Sequence, residues 1–463
     1  MRVFFEAAVI VGVLLFGVEA AEFRGIMEWR QGRLAVLPAY VRGAGKSMSA
    51  SERQRLYVWV WLPSAVEPIP AGVIEQWDTQ VVFAYGESYL ADSAAIPIYL
   101  PELPLRPGLI RPPRGLQVAG SIRDAAPDSW GQRVIMHRLT GYGGRDADTS
   151  KLGLLTYLIE SGSNRVGGLD FQRSPTDYAP RSEGSSLEEL VDAVAWLEEG
   201  KPFSEHLLRA LQGATPVGGA RPKVVITDEF GRQWIAKVST ATDTYPIVEA
   251  EAAAMDLARR VGLDVPATEL TEVAGRDVLL VERFDRTDVP GERKMMVSAL
   301  TILGLDEFLG ARYATYPALA DEVRKRFTEP AKTLRELFSR LVFNICVGNT
   351  DDHARNHSAF WNGTALSLTP AYDLCPQPRA GREASQSMAL GRDGYNLSNL
   401  AACVERASYY HLDQTDAREI VDRQLDVIQD AWPEVADQAR LSSAERDALW
   451  GSAILNSFAL ERL

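Results

Sequence analysis

An apolar helical pattern that runs directly into a dense polar cluster constrains this chain more than any other feature of its sequence. The polar cluster extends from Asn349 to Asn356 and begins within one helical turn of the apolar pattern. Burying so many polar groups is costly unless they serve a purpose. We therefore predict a buried helix that delivers a functional loop, with Thr333 as its cap and Glu336 completing a capping box. The apolar positions that recur on one helix face are Leu334, Leu337, Phe338, Leu341, Val342 and Ile345.

The length and composition indicate a globular protein of several parts. At 463 residues the chain exceeds the size at which one hydrophobic core usually stops growing, so two or three packed subdomains are expected. The net charge of -13 argues against non-specific nucleic-acid binding by the chain itself, because such binding needs cations that neutralise phosphates. Cysteine first occurs at Cys346, and no two cysteines stand at CxxC spacing. A disulfide framework and a zinc finger are thereby excluded, and a reducing cytoplasm is expected.

The first residues carry a pattern that disagrees with that compartment. Residues 1–21 contain an apolar stretch from Ala7 to Val18 followed by small residues, which is typical of a secretory signal. The stretch is too short to span a membrane, and no membrane association is expected. The alternative is an early translation start, because Met48 precedes a polar stretch and then the first convincing strand, Leu56 to Trp61. We expect residues 1–54 to be an extension outside the working protein.

Three further regions follow from the patterns along the chain. Residues 55–175 combine short β-rich runs with a helical pattern, which predicts an α+β subdomain. After a linker rich in Ser, Pro and Asp, Ser186 and Glu189 form a capping box that opens a helix. Residues 186–330 then alternate a glycine loop, two strands, a helix and a strand, the order of a nucleotide-binding lobe. Residues 331–463 are mostly helical.

Three residues with side-chain oxygens, Asp351, Asn356 and Asp373, follow the predicted buried helix in an order that suits phosphoryl transfer. In that chemistry one aspartate orients the attacking hydroxyl, while an asparagine and a second aspartate hold Mg²⁺. Magnesium prefers hard oxygen ligands and retains several waters, which two such side chains and the phosphates of ATP would satisfy. We therefore predict Asp351 as the catalytic residue and Asn356 and Asp373 as metal ligands, with ATP and Mg²⁺ as cofactors.

Two other interpretations of the polar cluster stay open from the residues alone. An aspartate and an asparagine at this spacing also occur in many solvated loops. In addition, His353 and His357 stand four residues apart, the spacing of a metal-binding helix. A metal hydrolase that uses them with Asp351 and Asp352 is therefore a competing prediction, although the chain has only 5 histidines to complete such a site.

A loop with adjacent glycines precedes the two predicted strands of the second region. Adjacent glycines let a backbone approach phosphates and donate N–H groups to them, although a plain tight turn has the same composition. Lys237 lies on the second strand, where a lysine would contact nucleotide phosphates. Glu251 in the next helix is its expected ion-pair partner, with Glu249 as the rival. The loop comprises Thr215, Pro216, Val217, Gly218, Gly219, Ala220, Arg221, Pro222 and Lys223.

The third strand of this region leads into a candidate hinge. Val278 to Val281 form the strand, and Glu282, Arg283 and Phe284 follow it. This order places polar backbone and an aromatic ring where a hinge would meet adenine. The alternative is that Phe284 belongs to the core.

Taken in order, these motifs resemble the HipA family of toxin kinases, and the resemblance covers about residues 55 to 440. Two upstream motifs, Asp124 to Gly131 and Arg165 to Leu169, are similar to the N-terminal subdomain of that family. The other matching segments are Val217 to Lys223 for the phosphate loop, Ile235 to Lys237, Val281 to Arg286 for the hinge, Thr350 to Asn356 for the catalytic loop, and Tyr372 with Asp373 for the metal-binding acid.

The resemblance implies an α+β, protein-kinase-like bilobal fold with an N-terminal β-rich subdomain and a mostly helical C-terminal lobe. It implies a serine/threonine kinase, the toxin of a toxin–antitoxin module, that phosphorylates a translation component such as an aminoacyl-tRNA synthetase. Its partner would be a HipB-like helix-turn-helix antitoxin, through which alone it would reach operator DNA. The implied nucleotide site consists of Val217, Gly218, Gly219, Ala220, Arg221, Pro222, Lys223, Lys237, Glu282, Arg283, Phe284, His353, Ala354, Arg355, Asn356, Tyr372 and Asp373.

The sequence departs from the family pattern at the phosphate loop. Family members of this kind inactivate themselves by phosphorylating a serine there, whereas this chain has Thr215 and Pro216 at or beside that position. Thr215 is therefore the candidate position for autophosphorylation.

Two functions of other kinds stay open beside the toxin kinase. A small-molecule phosphotransferase would use the same Asp, Asn and Asp geometry. A non-catalytic co-repressor scaffold for a DNA-binding antitoxin would need no catalysis.

Overall fold

The computed structural model of the chain describes residues 54–141, 148–181, 186–198, 221–241, 243–379, 381 and 383–463. The predicted extension therefore lies outside the described residues except for Gln54, and so do Thr215, Val217, Gly218, Gly219 and Ala220 of the glycine loop. Among the helices of the described ranges, none is both long enough and apolar enough to cross a membrane.

Short runs of β-branched and aromatic residues form an antiparallel four-stranded sheet near the start of these ranges. Its strand order is β3-β2-β1-β4, because the fourth strand returns beside the first. The strands are β1 Arg55–Val60, β2 Ile69–Trp77, β3 Gln80–Tyr85 and β4 Leu169–Gln172. The helices of the same region are α1 Glu87–Ala91, α2 Gly120–Asp124, α3 Ser129–Thr140 and α4 Leu154–Glu160.

Helix α3 illustrates how local chemistry sets an element in this region. The Asp128 carboxylate accepts a hydrogen bond from the Gly131 N–H at 2.7 Å and so caps the helix start. Gly141 ends the helix at a φ of +72°, a conformation that glycine adopts without steric cost. The helical pattern predicted in this region is thereby confirmed.

The second sheet is antiparallel in the order β5-β6-β8-β7. Its elements are β5 Lys223–Thr227, β6 Gln233–Val238, β7 Thr268–Val273 and β8 Arg276–Glu282, with helices α5 Leu187–Glu198 and α6 Ile247–Arg260. The predicted capping box at Ser186 and Glu189 is confirmed, since each backbone N–H donates to the other side chain. Strand β7 is absent from the prediction because it is a partly exposed edge strand with few apolar residues.

Helices cover both faces of the second sheet. Trp130 and Val134 of α3 pack with α5 against one face, where Val278 and Leu280 of β8 are buried. Leu279 lies on the opposite face and packs against Val248 of α6. Helix α3 thus belongs to the core of the second sheet, although it comes from the preceding region. The described residues between 54 and 463 form one compact unit, and the predicted domain boundaries within it remain predictions.

Helices are the main regular structure in the described residues after the second sheet, which also include a small three-stranded sheet. Its strands are β9 Met296–Ser298, β10 Ser358–Trp361 and β11 Leu366–Leu368, in the order β11-β10-β9. The helices are α7 Ala299–Ile302, α8 Glu307–Tyr313, α9 Tyr316–Arg326, α10 Pro330–Cys346, α11 Leu400–Glu405, α12 Gln414–Gln438 and α13 Ser443–Leu449.

Helix α10 is the predicted buried helix, and its six apolar positions are all buried. The predicted cap at Thr333 is wrong, because the helix begins one turn earlier, with Pro330 in its first turn and Glu329 at the cap position. Proline suits that position because its fixed φ is helical and its missing N–H has no helical partner there. Thr333 is buried inside the helix, and Glu336 forms an ion pair with Arg340 at 2.9 Å instead of a capping box.

Candidate functional site

Lys237 stands at the centre of the site between two carboxylates. Its Nζ lies 2.5 Å from Oε1 of Glu251 on α6 and 2.6 Å from Oδ1 of Asp373, which follows β11. The ion pair predicted between Lys237 and Glu251 is therefore confirmed. The rival Glu249 has a pKa raised to about 7, first by burial and then by the neighbouring Asp277. The two ion pairs of Lys237 connect strand β6 with helix α6 and with the segment that follows β11.

The charges of this group depend on one another. Burial disfavours the Lys237 ammonium, but Asp373 and Glu251 outweigh it and raise the lysine pKa. Lys237 in turn lowers the pKa of Asp373, whereas burial raises that of Glu251 despite the lysine. Asp373 also has a φ of +59°, a left-handed conformation that aspartate tolerates better than most residues. The Lys237 ammonium thus keeps the Asp373 carboxylate ionised.

The polar cluster predicted from the sequence forms an ordered, non-helical loop. Asp351 is exposed, and its backbone carbonyl accepts a hydrogen bond from Nδ2 of Asn356 at 2.9 Å. The Asn356 N–H donates to the His353 carbonyl at 2.8 Å, which tightens the same turn. Partial burial raises the pKa of Asp351, with His353 opposing the rise and Asp373 adding to it. The loop therefore brings Asp351 and Asn356 together within the electrostatic reach of Asp373.

A buried hydrogen-bond network that no sequence pattern indicates supports this loop. Asp352 is buried and accepts hydrogen bonds from the Tyr316 hydroxyl at 2.6 Å and the Ser387 N–H at 3.0 Å. Burial raises the pKa of Asp352 to about 7. His357 Nε2 lies 3.2 Å from the same hydroxyl, and burial lowers the pKa of His357 to about 3. No local pattern links Tyr316 to Asp352, which lies 36 residues later.

This network also bears on the metal-hydrolase alternative. The residues between His353 and His357 are not helical, so their spacing does not place both imidazoles on one helix face. Asp352 and His357 face Tyr316 instead. Within the described ranges, no group of three or more His, Cys, Asp or Glu side chains is arranged to hold a metal ion.

The predicted hinge borders a cavity of about 290 Å³. The Phe284 ring is partly exposed there, 5.5 Å from the ring of Tyr372, so it lines the cavity and is not simply core. The Arg283 guanidinium donates to the Asp285 carboxylate at 2.8 Å and to the Asn164 side-chain oxygen, so its hydrogen bonds are made inside the protein. The cavity is lined by Pro266, Glu282, Arg283, Phe284, Arg286, Thr287, Asp288 and Lys294.

The described end of the glycine loop is held by ion pairs. Arg221 contacts Asp243 at 2.5 Å, and after Pro222 the ammonium of Lys223 lies 3.5 Å from Asp128. Lys223 is directly opposite Lys237 in the pairing of β5 with β6. The predicted phosphate-loop residues from Val217 to Ala220 lie outside the described part of the chain.

The remaining predicted residues support the loop or its surroundings. Ala354 is buried, and its carbonyl accepts a hydrogen bond from the Leu300 N–H at 3.2 Å. Arg355 forms an ion pair with Glu307 of α8 at 2.6 Å. The Tyr372 hydroxyl donates to the Arg355 carbonyl at 2.6 Å, which fixes the ring that packs beside Phe284. His353 is partly buried at the turn of the loop.

Comparisons with known proteins agree on one family. Residues 215–432 match the model of the HipA-like C-terminal domain. Two relatives are the serine/threonine-protein kinase toxin HipA of Shewanella oneidensis, 23% identical over 231 residues, and the kinase-like protein Y4mE of Sinorhizobium fredii, 31% identical over 132 residues. These alignments cover 43% and 27% of the chain. The chain spans only 50% and 31% of the lengths of these two relatives.

A solved structure has the same overall fold. In the Shewanella oneidensis complex of HipA, HipB and operator DNA, the matched chain is 16% identical and superimposes with a TM-score of 0.61. The match covers 85% of this chain and 94% of the other. At this identity the likeness shows the fold alone, and the α+β kinase-like architecture expected from the sequence is confirmed.

Proposed function

The chain belongs to the HipA family, and on that premise we propose that it is an ATP-dependent kinase that phosphorylates serine or threonine hydroxyls of a protein. The observation that carries the proposal is the placement of Lys237 between Glu251 and Asp373, beside a loop that pairs Asp351 with Asn356. Lysine, two metal-binding side chains and an orienting aspartate are the parts that kinase-type phosphoryl transfer requires.

The residues present fit a magnesium ion. The cation at Asp373 is here the Lys237 ammonium, so this carboxylate already holds positive charge at 2.6 Å. The amide nitrogen of Asn356 is used by the Asp351 carbonyl, which leaves its amide oxygen as a hard ligand. Asn356 and Asp373 would hold the ion, which when bound neutralises the charge of the phosphate oxygens.

The nucleotide would occupy the space between the hinge and Lys237. Phe284 and the hinge backbone offer the adenine an apolar surface and polar groups at the 290 Å³ cavity. Lys237 contributes its ammonium to the phosphates, and Glu251 holds that ammonium in place. The phosphate loop from Val217 to Lys223 would add backbone N–H groups.

Asp351 acts on the protein substrate. Its exposed carboxylate orients the serine or threonine hydroxyl and accepts its proton as the new P–O bond forms and the bond to the departing ADP breaks. The pKa of Asp351 is raised by partial burial and by Asp373, which makes it a better proton acceptor than a free aspartate. Most of the rate enhancement comes from positioning and electrostatics.

Within the cell we propose the role of a toxin in a toxin–antitoxin module, acting in the cytoplasm. Support comes from the Shewanella relative, which is named a kinase toxin, and from the fold it shares with HipA in a complex with HipB and operator DNA. A HipB-like helix-turn-helix antitoxin is the proposed partner, and the net charge of -13 suits a basic DNA-binding protein. The proposed target is a translation component such as an aminoacyl-tRNA synthetase. Thr215 remains the candidate for autophosphorylation.

Transfer of labelled phosphate from ATP to protein in a cell lysate tests the function. Asp351→Ala and Asp373→Ala should lower transfer at least about 100-fold, because they remove the orienting base and a metal ligand. The matched control is Asp430→Ala, which changes an exposed aspartate of helix α12 and should transfer phosphate like the parent.

Each other outcome points to a different function. Label in a small metabolite but not in protein would indicate a small-molecule phosphotransferase. No transfer by the parent, together with intact binding of a DNA-binding partner, would indicate a scaffold. Equal transfer by all variants would refute the proposed roles of Asp351 and Asp373.

A further inference from the structure

Two aspartates of the first region, Asp124 and Asp128, contact segments that form the candidate site. Asp124 accepts hydrogen bonds from the Ser298 N–H at 2.7 Å and from its hydroxyl at 2.9 Å. Ser298 begins helix α7, whose first two N–H groups donate to the carbonyls of His357 and Ala354 in the catalytic loop. Asp124 of the first region therefore fixes the start of helix α7, and helix α7 in turn binds the backbone of the catalytic loop.

Asp128 makes the second contact, with the end of the phosphate loop. One carboxylate oxygen caps helix α3, and the other lies 3.5 Å from Nζ of Lys223. Both side chains are almost fully enclosed, at 6% exposure for Asp128 and 3% for Lys223. A buried ammonium needs a carboxylate or equivalent partner to stay charged, and Asp128 supplies it across the boundary between the two regions.

Lys223 and Lys237 form a pair of lysines on one face of the sheet. They are directly opposite in the pairing of β5 with β6, and residues at opposite positions project to the same face. Like charges at such positions repel unless each has its own counter-charge. Lys237 has Glu251 and Asp373, whereas the ion pair of Lys223 is with Asp128.

From this arrangement we infer that Asp128 is a positioning residue for the nucleotide. It fixes the Lys223 ammonium so that two lysines from adjacent strands face the phosphates, which makes the first region a working part of the nucleotide site. The inference rests on the proposed function, because it concerns the same site.

Loss of the Asp128 charge should disturb more than Lys223. Burial lowers the pKa of Lys223, and Asp128 is its main support, followed by Asp373. Asp373, which also raises the pKa of Lys223, already forms an ion pair with Lys237 and is the proposed metal ligand. Nucleotide and metal binding should therefore weaken together.

Asp128→Asn separates this role from the cap, because asparagine caps helices as well as aspartate does. The full chain is titrated by calorimetry with the magnesium complex of a non-hydrolysable ATP analogue. The variant should bind at least about 10-fold more weakly, the loss expected when a charge-assisted contact is removed. Asp148→Asn is the matched control, since Asp148 caps the short helix Thr149–Lys151 of the same region and should bind like the parent.

A double-mutant cycle with Lys223→Met tests whether Asp128 acts through Lys223. In the Lys223→Met background, Asp128→Asn should cause no further loss of affinity. This comparison holds even if Asp128→Asn alone does not fold, because the double variant removes the Lys223 ammonium together with the Asp128 charge. A further loss of affinity on adding Asp128→Asn to Lys223→Met would overturn the inference.

The two proposals fail in different ways. If the parent and Asp148→Asn bind the analogue and Asp128→Asn binds it equally well, the inference is wrong and the proposed kinase stands. If the parent itself binds no nucleotide, the proposed function falls and the inference falls with it.

Discussion

Asp352 is a single residue that supports the loop but lowers the stability of the folded protein when it is charged. It is buried beside the exposed Asp351, and its hydrogen bonds come from Tyr316 and the backbone of Ser387, not from a cation. Its pKa is raised to about 7 from an ordinary value of 3.8, because burial disfavours its charge. The folded protein therefore holds a proton on Asp352 at a pH where the unfolded chain has released it.

The sign of the pH effect follows from that difference. Between about pH 4 and pH 7 the unfolded state binds fewer protons at this position, so the free energy of unfolding falls as pH rises through this window. The penalty is complete above about pH 7, where it is on the order of 4 kcal/mol. Asp352→Asn should lack this dependence, so its stability relative to the parent should rise from pH 4 to pH 7. Urea unfolding of both proteins at each pH measures the difference.

His357 has the opposite effect on the pH dependence of stability, so a control is needed. Its pKa is lowered from 6.5 to about 3, so it destabilises the folded state as pH falls through that range. For this reason the variant is compared with the parent at each pH. Asp393→Asn, which changes an exposed residue, should follow the parent at every pH. A constant difference between Asp352→Asn and the parent would contradict the prediction.

At the scale of an element, the end of helix α10 decides where the loop begins. Gly348 follows the helix with a φ of +70°, and the Asn349 N–H donates back to the Asn344 carbonyl at 2.8 Å. A Cβ on Gly348 would lie 2.7 Å from the Ala453 carbonyl oxygen, which is part of the backbone and cannot turn aside. Glycine is therefore required for both its conformation and its size.

Gly348→Ala should accordingly destabilise the protein more than the conformation alone explains. Gly304 is the matched control, because its φ is +67° and a Cβ there would meet nothing within 4 Å. Gly304→Ala should cost roughly 1 kcal/mol of unfolding free energy from strain, and Gly348→Ala about 1–3 kcal/mol more from overpacking. Urea unfolding measures both, and equal losses would show that Ala453 imposes no constraint.

At the scale of the whole molecule, Asp285 joins the first region to the hinge. Its buried carboxylate accepts a hydrogen bond from the Gly167 N–H at 2.8 Å and forms ion pairs with Arg283 and Arg286 at 2.8 and 2.9 Å. Burial alone would raise the pKa of Asp285, but the two arginines outweigh it and lower the pKa. Gly167 belongs to one of the two upstream motifs, so this motif serves the junction beside the cavity.

Asp285→Asn should destabilise the protein by about 3–5 kcal/mol, because it leaves the buried Arg283 and the partly buried Arg286 short of their counter-charge. Asp288→Asn, three residues later and exposed, is the control and should unfold like the parent. The free energy of unfolding in urea checks the prediction. A loss below about 1 kcal/mol for Asp285→Asn would show that backbone carbonyls alone satisfy the arginines.

Several elements and the partner of Lys237 could be predicted from local signals in the sequence. Periodicity predicted helix α10, and residue order predicted that Lys237 would pair with Glu251, because these signals are local or belong to adjacent elements. The sequence prediction failed at the start of α10, which begins at Pro330, one turn before the position expected from a cap at Thr333. It also failed at β7, an edge strand with little apolar signal.

Contacts between groups that are far apart in the sequence depend on how the elements pack. Three contacts illustrate this. Tyr316 contacts Asp352 across 36 residues, Asp128 contacts Lys223 across 95, and Gly167 contacts Asp285 across 118. No local pattern encodes such contacts, since burial and charge pairing depend on how the elements pack. The polar cluster from Asn349 to Asn356 was therefore visible in the sequence, whereas the charges that tune it were not.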